Sequence, residues 1–365
     1  SYTYDAKVRH QLTETNPLGH TETRTFDPDT GLITSSTGPN SLTTSWTHDA
    51  FGRVTRETRA DGTYTDTIRE ACGPTTFACG TDFALRTIQR PQGGAESTVV
   101  ADRLLRTRLS YTYVNGQLSY VNEDYDAQGR MVQKSEPYFS GNTVFWTTIQ
   151  YDLLGRPIVT TRPDNSTQLV TYNGLTQVAT NEIGQTKTVT KDAIGQTVSV
   201  TDNANNITTH VYDAIGQMTS MSGPLGNTST YVYDDRGNKI SDTDPDKGTW
   251  AYRYNALGML VEQTDAKGQV TRITYDVLGR MLTRIDDADS TGAAARTATW
   301  SYDTGIKAIG KLTGSTSGNG YSSTATYDSF GRPSQATETI DGTAYATTRT
   351  YDSQSRVDSV IYPSG

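Results

Sequence analysis

The sequence predicts an all-β fold: a repetitive antiparallel β-hairpin meander that coils into a spiral, hollow shell. Three observations predict it: a short segment that recurs at a fixed spacing, two turn signals in every repeat, and a low apolar content. The segments that begin at Tyr212, Tyr233, Tyr254 and Tyr275 each lie 21 residues from the next. A fixed period of this length is typical of repeat proteins, in which each repeat is one unit of supersecondary structure.

The repeat that begins at Tyr254 shows how one unit is built. Residues 255–258 are a turn signal, because an Asn or Asp side chain bonds its own backbone and Gly258 accepts a positive φ. Residues 259–264 read as a strand, residues 265–268 as a second turn, and residues 269–274 as a second strand. The two turns fall at opposite ends of the strands, so the chain runs up and down.

The repeated tyrosine falls at the same height on every second strand. Copies two strands apart are about 10 Å from each other, which predicts a ladder of aromatic rings whose role is packing. The repeated glycine belongs to the turn that follows. These structural repeat positions are Tyr125, Tyr151, Tyr212, Tyr233, Tyr254, Tyr275, Tyr327 and Tyr351, with Gly129, Gly155, Gly216, Gly237, Gly258, Gly279 and Gly331.

The composition predicts a thin, curved sheet. Hydrophobic residues make up 33% of the chain, whereas globular domains have about 45–50% when glycine is included. A single-layer sheet with modest side-chain burial fits this composition. The array holds roughly seventeen repeats, and a twisted sheet of that size coils or closes. A coiled one-layer sheet encloses a space.

We interpret residues 1–365 as a single array. Residues 1–65 carry degenerate repeats, residues 66–124 are irregular, residues 125–274 have mostly 21-residue repeats, and residues 275–365 have stretched repeats that stop within a repeat. Both ends of the array then present strands with unpaired backbone groups. We therefore expect further sequence, or another copy of the chain by strand addition, to continue the sheet.

The irregular segment contains both cysteines and the one helix candidate, residues 99–109. Cys72 and Cys79 bracket a Gly-Pro turn signal, so they can face each other across a hairpin, and we predict a disulfide between them. Such a bond implies an oxidising compartment, and hence a secreted or cell-surface protein. The alternative, a metal-binding pair, lacks further ligands in the sequence.

The charge and the hydropathy pattern exclude two classes of protein. The net charge is −8 and the pI is about 5.1, which argues against a nucleic-acid-binding surface. An apolar stretch of about 18 residues, as a membrane-spanning helix requires, is missing from the sequence.

Few residues suggest chemistry, and each has a structural interpretation. Residues 242–248 resemble the start of a calcium loop, but the glycine comes one place late and Arg253 stands where glutamate is required, which favours a turn. The acidic residues 286–289 favour a solvated hairpin tip over an acid–base pair. We predict no catalytic, cofactor-binding or metal-binding residue and no enzyme activity. Packing is favoured over sugar stacking for Trp46, Trp146, Trp250 and Trp300.

The pattern Y-D-x-x-G-R stands at residues 125–130, 151–156, 275–280 and 327–332. Repeated at this spacing over nearly the whole chain, it resembles the YD-repeat, or RHS (rearrangement hot spot), family. The resemblance implies a spiral β-shell. Such shells enclose a C-terminal toxin in bacterial polymorphic toxins and in the C component of Tc toxins, and in teneurins the shell belongs to an adhesion receptor.

Two functions are open at this point. The first is a non-enzymatic structural segment of a shell that encloses and shields toxin cargo, with that cargo or the remainder of a longer RHS chain as its partner. The second is an extracellular adhesion or fibre-forming protein that binds glycans or other copies of itself through the sheet surface or edges. The family's Asp-Pro-x-Gly-Leu cleavage motif has only a loose echo, at residues 27–32. The autoprotease and toxin activities are therefore not carried over to this chain.

Overall fold

The fold is known from a computed structural model that describes residues 1–73, 83–286 and 296–364. Within these ranges the chain forms 33 β-strands and no helix. Every strand pair for which the register is known is antiparallel, and almost all of them join strands that are consecutive in the chain. The predicted all-β hairpin meander is confirmed.

The first sixteen strands are β1 Tyr2–Tyr4, β2 Gln11–Thr15, β3 Thr21–Phe26, β4 Ile33–Thr37, β5 Thr43–His48, β6 Val54–Thr58, β7 Tyr64–Ala71, β8 Leu85–Pro91, β9 Ser97–Ala101, β10 Thr107–Val114, β11 Gln117–Tyr125, β12 Met131–Ser135, β13 Tyr138–Phe139, β14 Trp146–Tyr151, β15 Pro157–Thr161 and β16 Thr167–Asn173. The remaining strands are β17 Thr176–Thr180, β18 Thr186–Lys191, β19 Thr197–Thr201, β20 Ile207–Tyr212, β21 Met218–Ser222, β22 Thr228–Tyr233, β23 Lys239–Asp244, β24 Gly248–Tyr254, β25 Leu260–Thr264, β26 Val270–Tyr275, β27 Met281–Asp286, β28 Arg296–Tyr302, β29 Leu312–Thr316, β30 Tyr321–Tyr327, β31 Pro333–Ile340, β32 Thr343–Tyr351 and β33 Val357–Ile361.

Two compact units divide the chain. Unit 1 consists of residues 1–67, 91–94 and 250–365, and unit 2 of residues 68–90 and 95–249. Each unit is built from the same hairpins. The interpretation of residues 1–365 as one array stays a prediction.

The repeated tyrosine marks an irregularity in the ladder that the sequence did not reveal. In the β20–β21 pair, Val211 lies opposite Ser220 but Tyr212 lies opposite Met218, so Thr219 is skipped. The same register shift occurs at the tyrosine of several other repeats. A bulge of this kind bends the strand and increases its local twist. Each such repeat therefore adds twist at its tyrosine.

The helix candidate at residues 99–109 is not a helix. The segment ends strand β9, turns at residues 102–105 and enters strand β10. Asp102 organises this turn, because its carboxylate accepts hydrogen bonds from the backbone N–H groups of Leu104 and Arg106 at 2.8 and 3.0 Å. The turn has the same construction as those after the repeated tyrosines. Ala101 stands in the tyrosine's place, which hid the repeat in the sequence.

Burial is shallow in the part of the chain that the structure describes. The hydrophobic residues that are buried there are Ile88, Val100 and Ala308. Most strand side chains are half-buried, with inward and outward positions alternating, as in strand β24. A one-layer sheet has this pattern because each side chain is covered only by its neighbours on the same face.

Candidate functional site

Two kinds of turn alternate along the chain and define two edges of the hairpin ribbon. The turns that follow the tyrosine position form what we call the YD edge, and the turns between them form the second-turn edge. In strands β20 to β22, residues 213–216 lie on the YD edge and residues 223–226 on the second-turn edge. The contacts between repeats that are described below lie at these edges.

The turn after Tyr275 shows how an Asp and a Gly fix the backbone of a YD turn. One carboxylate oxygen of Asp276 accepts hydrogen bonds from the N–H groups of Leu278 at 2.8 Å and Arg280 at 2.9 Å. Gly279 has a φ of 80°, which a residue with a Cβ adopts only under strain. The same pair of bonds occurs at Asp126, Asp152, Asp213, Asp234, Asn255, Asp328 and Asp352.

The last residue of the motif joins one repeat to the next. Arg280 donates to Asp276 of its own turn at 2.7 Å and forms two bonds, at 2.9 and 2.6 Å, to the carboxylate of Asp303 in the following turn. Its guanidinium also lies 4.4 Å from the centre of the Tyr302 ring. Burial raises the pKa of the Asp276 carboxyl, but the hydrogen bonds from Arg280 and Leu278 lower it more, so the net pKa lies below its usual value.

In most repeats the tyrosine hydroxyl closes the same joint, although that of Tyr125 donates to the Glu123 carboxylate at 2.9 Å instead. Tyr275 donates to the backbone carbonyl of Leu260 at 2.8 Å, and Leu260 directly follows the last motif residue of the preceding repeat. The acceptor occupies the same position for Tyr151, Tyr172, Tyr212, Tyr233, Tyr302, Tyr327 and Tyr351. We call the last motif residue of one repeat, together with the tyrosine of the next, the repeat clamp.

The turn glycine also leaves room for the clamp. A Cβ added to Gly216 would lie 2.9 Å from the side-chain nitrogen of Gln196, and one on Gly331 would lie 2.7 Å from the amine of Lys311. Both nitrogens belong to the preceding repeat's clamp residue. Gln196 donates to the carbonyl of Gly216 at 3.2 Å, and Lys311 donates to that of Gly331. At these positions glycine is needed for its φ and for this close approach.

The clamp modifies the predicted tyrosine ladder. Several rings have the cationic side chain of the preceding repeat over their face, at distances of 4.2–4.8 Å from the ring centre: Arg106 over Tyr125, Arg130 over Tyr151, Lys311 over Tyr327 and Arg332 over Tyr351. Cation–π contact is favourable at these distances. The ladder of tyrosine rings could be predicted from the sequence. No role was predicted for the arginine or for the tyrosine hydroxyl, although the arginine is the sixth residue of the recurring motif.

A second set of contacts lies within unit 1 and joins repeats that are far apart in the chain. The Asn40 side chain donates to the carbonyl of Ile309 and accepts from its N–H, both at 2.9 Å. The amine of Lys307 donates to the carbonyl of Asn40 at 2.6 Å. Asn40 lies on the second-turn edge, whereas Lys307 and Ile309 lie on the YD edge.

The second-turn edge and the YD edge of unit 1 are in contact again further along the chain. Arg332 donates to the hydroxyl of Ser355 at 2.7 Å, and that hydroxyl donates to the carboxylate of Asp61. Arg356 donates to the carbonyl of Gly93 at 3.1 Å. Asp61 and Gly93 lie on second turns, and Ser355 and Arg356 on a YD turn. We call this line of contacts the seam.

The Asp61 carboxyl is the charged acceptor of the seam. Burial raises its pKa, but hydrogen bonds from Ser355 and Thr63 and the nearby charge of Arg332 lower it more, so the net pKa lies below its usual value. The carboxylate is therefore ionised at neutral pH and accepts bonds from both sides of the seam.

The residues that the sequence offered as candidates for metal or sugar binding take part in turns and in contacts between strands. One carboxylate oxygen of Asp244 accepts from the N–H groups of Asp246 and Lys247 at 3.0 Å, as expected for a turn. Trp46 donates to Glu57 at 3.3 Å, and the ring of Trp250 stacks on that of Tyr252. In the described ranges, no group of three or more His, Cys, Asp or Glu residues is arranged to hold a metal ion.

Two predictions concern residues outside the ranges that the structure describes. Cys79 lies outside the described residues, so the disulfide with Cys72 stays a prediction. Of the acidic residues 286–289, only Asp286 is described, and it ends strand β27. A helix long and apolar enough to cross a membrane does not occur in the described parts of the chain.

The comparisons with known proteins agree with the repeat geometry. The family model described as RHS Repeat matches residues 26–64, 192–228, 212–249 and 254–291. The chain therefore carries RHS repeats, and the predicted relation to the YD-repeat, or RHS, family is confirmed. A search of curated proteins gave no match.

Solved structures share the fold over the whole chain. The Tc holotoxin pore of Photorhabdus luminescens is 12% identical, with a TM-score of 0.79 over 100% of this chain and 26% of that one. The TcdB2-TccC3-Cdc42 crystal structure is 12% identical, with a TM-score of 0.67 over 99% of this chain and 28% of that one. TcdB2-TccC3 is 14% identical, with a TM-score of 0.63 over 99% of this chain and 27% of that one. The chain thus spans a little over a quarter of the length of these structures, and at such identities the likeness concerns the fold.

Proposed function

We propose that this chain is a non-enzymatic structural segment of an RHS shell that encloses and shields toxin cargo. The observation that carries the proposal is the seam, because contact between opposite edges of distant repeats is what a wall without gaps requires. The fold likeness to the Tc holotoxin pore supports it. The partners would be toxin cargo and the remainder of a longer RHS chain, and the place of action would be outside the cell or at its surface.

The distribution of the hydrogen bonds supports a structural role. The side chains of the Y-D-x-x-G-R motif bond to their own turn or to the neighbouring repeat, as in Asp276, Arg280 and Tyr302. Side chains whose polar groups are already hydrogen-bonded within the sheet stabilise a wall, and these groups are not free to bind a substrate. The shielding would come from the enclosure itself.

Protection of a fused cargo from protease tests this function. An unfolded polypeptide fused after Gly365 should be digested more slowly than the same polypeptide fused to an unrelated β-protein. Arg332→Ala, which removes one clamp and one seam donor, should accelerate the digestion, whereas Arg253→Ala on an exposed strand face should not. Digestion at the same rate in both fusions would contradict the proposal.

The adhesion or fibre-forming alternative is favoured by one observation: apolar side chains are exposed on the YD edge, as at Leu153 and Leu154. Exposed apolar groups are typical of interaction surfaces. Binding to cells or to a glycan array by a protein that leaves the fused cargo unprotected would favour this alternative over the container.

A further inference from the structure

An open cavity of about 810 Å³ lies within unit 2, on strands β16 to β19 and beside their second turns. Cavities that hold small ligands measure about 300–1,000 Å³. Val170 lies opposite Ala179, and Ala179 lies opposite Lys187, so these three side chains form one row across β16, β17 and β18. Val200 of β19 lines the cavity as well. The cavity therefore has an apolar floor with an amine at one side.

Three hydrogen-bond donors line the cavity near the start of β18. In the ranges that the structure describes, the Lys187 amine forms neither a hydrogen bond nor an ion pair. The other two donors are the side-chain NH₂ groups of Gln185 and Asn203. All three therefore remain available to an acceptor on a ligand.

The neighbouring backbone fixes the direction of both amides. The side-chain oxygen of Asn181 accepts from the N–H groups of Ile183 at 3.2 Å and Gln185 at 2.8 Å, so its nitrogen donates to the side-chain oxygen of Gln185 at 2.9 Å. The side-chain oxygen of Asn203 accepts from the N–H of Thr186 at 3.0 Å. The turns thus use the amide oxygens of Gln185 and Asn203 and leave their NH₂ groups at the cavity.

The carboxylate of Asp202 also lines the cavity, but its own turn uses both oxygens. One accepts from the N–H groups of Ala204 at 2.8 Å and Asn206 at 2.9 Å, and the other accepts from the Asn206 side chain at 2.9 Å. The bonds from Asn206 and Ala204 hold the pKa of the Asp202 carboxyl below its usual value. Its charge is exposed and screened by solvent, so the cavity offers mainly donors to a ligand.

We propose that this cavity binds an organic carboxylate with an apolar chain about 10 Å long. The ligand's carboxylate accepts from Lys187, Gln185 and Asn203, and a charged pair strengthens such bonds. The chain lies over Ala179 and reaches Val170, two strands from Lys187 and hence about 10 Å away. Burial of the chain favours binding. A fatty acid and the C-terminal end of an apolar polypeptide both have this chemistry.

Calorimetric titration with octanoate tests the site. Octanoate should bind saturably at one site, and octanol, which lacks the carboxylate, should not. Lys187→Gln should lower the affinity by about fivefold or more, because it removes the charged donor. The matched control Lys191→Gln removes the same charge at the other end of β18 and should bind as the wild type does. Octanol that binds as tightly as octanoate, or two lysine variants that behave alike, would overturn the proposal.

A second probe separates the two sources of the carboxylate. N-acetylated trileucine with a free C-terminus should bind if the site takes polypeptide ends, and its C-terminal amide should not. Binding of octanoate alone would assign the site to fatty acids, and binding of the peptide alone would assign it to polypeptides. Saturable binding of neither probe would contradict the proposal.

Methyl NMR locates the ligand and does not depend on any variant. Octanoate, or the peptide if only the peptide binds, should shift the methyl signals of Val170, Ala179 and Val200 and leave those of Val232, outside the cavity, unchanged. Signals of the first three that do not move at saturation would overturn the assignment. The proposed shell function does not depend on this site, so failure here would leave the cargo-protection test unaffected.

Discussion

The amide side chain of Asn40 bonds both the N–H and the carbonyl of Ile309, 269 residues further along the chain, at 2.9 Å each. Its two partners are backbone groups of one residue, so the amide completes the YD turn as a neighbouring strand would. A second-turn asparagine thus joins repeats that the sequence separates widely. Together with the clamps between consecutive repeats, this seam is the structural basis of the proposed wall.

The clamp arginine should matter far more than an arginine on a strand face. Arg280→Ala removes three bonds to Asp276 and Asp303 and leaves the two carboxylates without their cation, so we expect the free energy of unfolding to fall by about 2–3 kcal/mol. Arg253→Ala should change it by less than about 1 kcal/mol, because Arg253 pairs with Glu262 at the surface. Urea unfolding measures the free energy of unfolding of both variants. An equal decrease in the two would contradict the role of the clamp.

The tyrosine hydroxyl should contribute separately from the ring. Tyr275→Phe keeps the ring and removes the bond to the Leu260 carbonyl, so the free energy of unfolding should fall by about 0.5–1.5 kcal/mol. Tyr345→Phe is the matched control, because its ring is exposed on strand β32 and should tolerate the change. A Tyr275→Phe protein as stable as the wild type would leave packing as the tyrosine's whole role.

Acid should weaken the turns and the seam over a defined range of pH. Hydrogen bonds from Arg53 lower the pKa of the Asp49 carboxyl to about 2, and the pKa of the Asp61 and Asp276 carboxyls is also lowered. A carboxyl whose pKa is lower in the folded state stabilises the fold fully above its unfolded pKa of about 3.9, and this stabilisation is lost as the pH falls through the folded pKa.

We therefore expect tryptophan fluorescence and circular dichroism to hold down to about pH 4 and to change between about pH 4 and pH 2. Asp61→Asn should make the stability of the seam less dependent on pH in this range. Loss of the native signal already between about pH 6 and pH 5 would show that other groups control acid unfolding.

The predicted disulfide between Cys72 and Cys79 is tested by thiol titration. The unreduced protein should have no reactive thiol, and reduction should lower the free energy of unfolding by about 2–3 kcal/mol, as the chain-entropy estimate for a short loop gives. Two thiols that react without reduction would refute the bond. A Cys72→Ser, Cys79→Ser protein controls for effects of the reductant elsewhere.

Much of the hairpin repeat could be predicted from the sequence, because its signals are local. Asp276 and Gly279 specify a turn within four residues, and the β-branched residues around them specify strands. The fold class followed from the repetition of these signals. The register shift at Tyr212 could not be predicted, because a bulge depends on how two strands pair and has no residue type of its own.

The clamp and the seam escaped prediction for different reasons. Arg280 was visible as part of the motif, but its partner Asp303 belongs to the next repeat, and only the fold brings the two together. Asn40 and Ile309 share no periodic signal, since their contact depends on how unit 1 folds back on itself. Residues 99–109 stood out as a helix candidate because Ala101, in the place of the tyrosine, hid a turn of the usual kind.

Amide hydrogen exchange at Ile309 tests the central claim most directly. Its N–H should exchange as slowly as the amides within strand β29, because Asn40 accepts its bond. Asn40→Ala should accelerate that exchange at least tenfold and leave the amides of unit 2 unchanged, whereas Asn227→Ala, on an exposed second turn, should have no effect at Ile309. An Ile309 amide that exchanges in the wild type as fast as an unbonded turn amide would contradict the seam, and with it the wall.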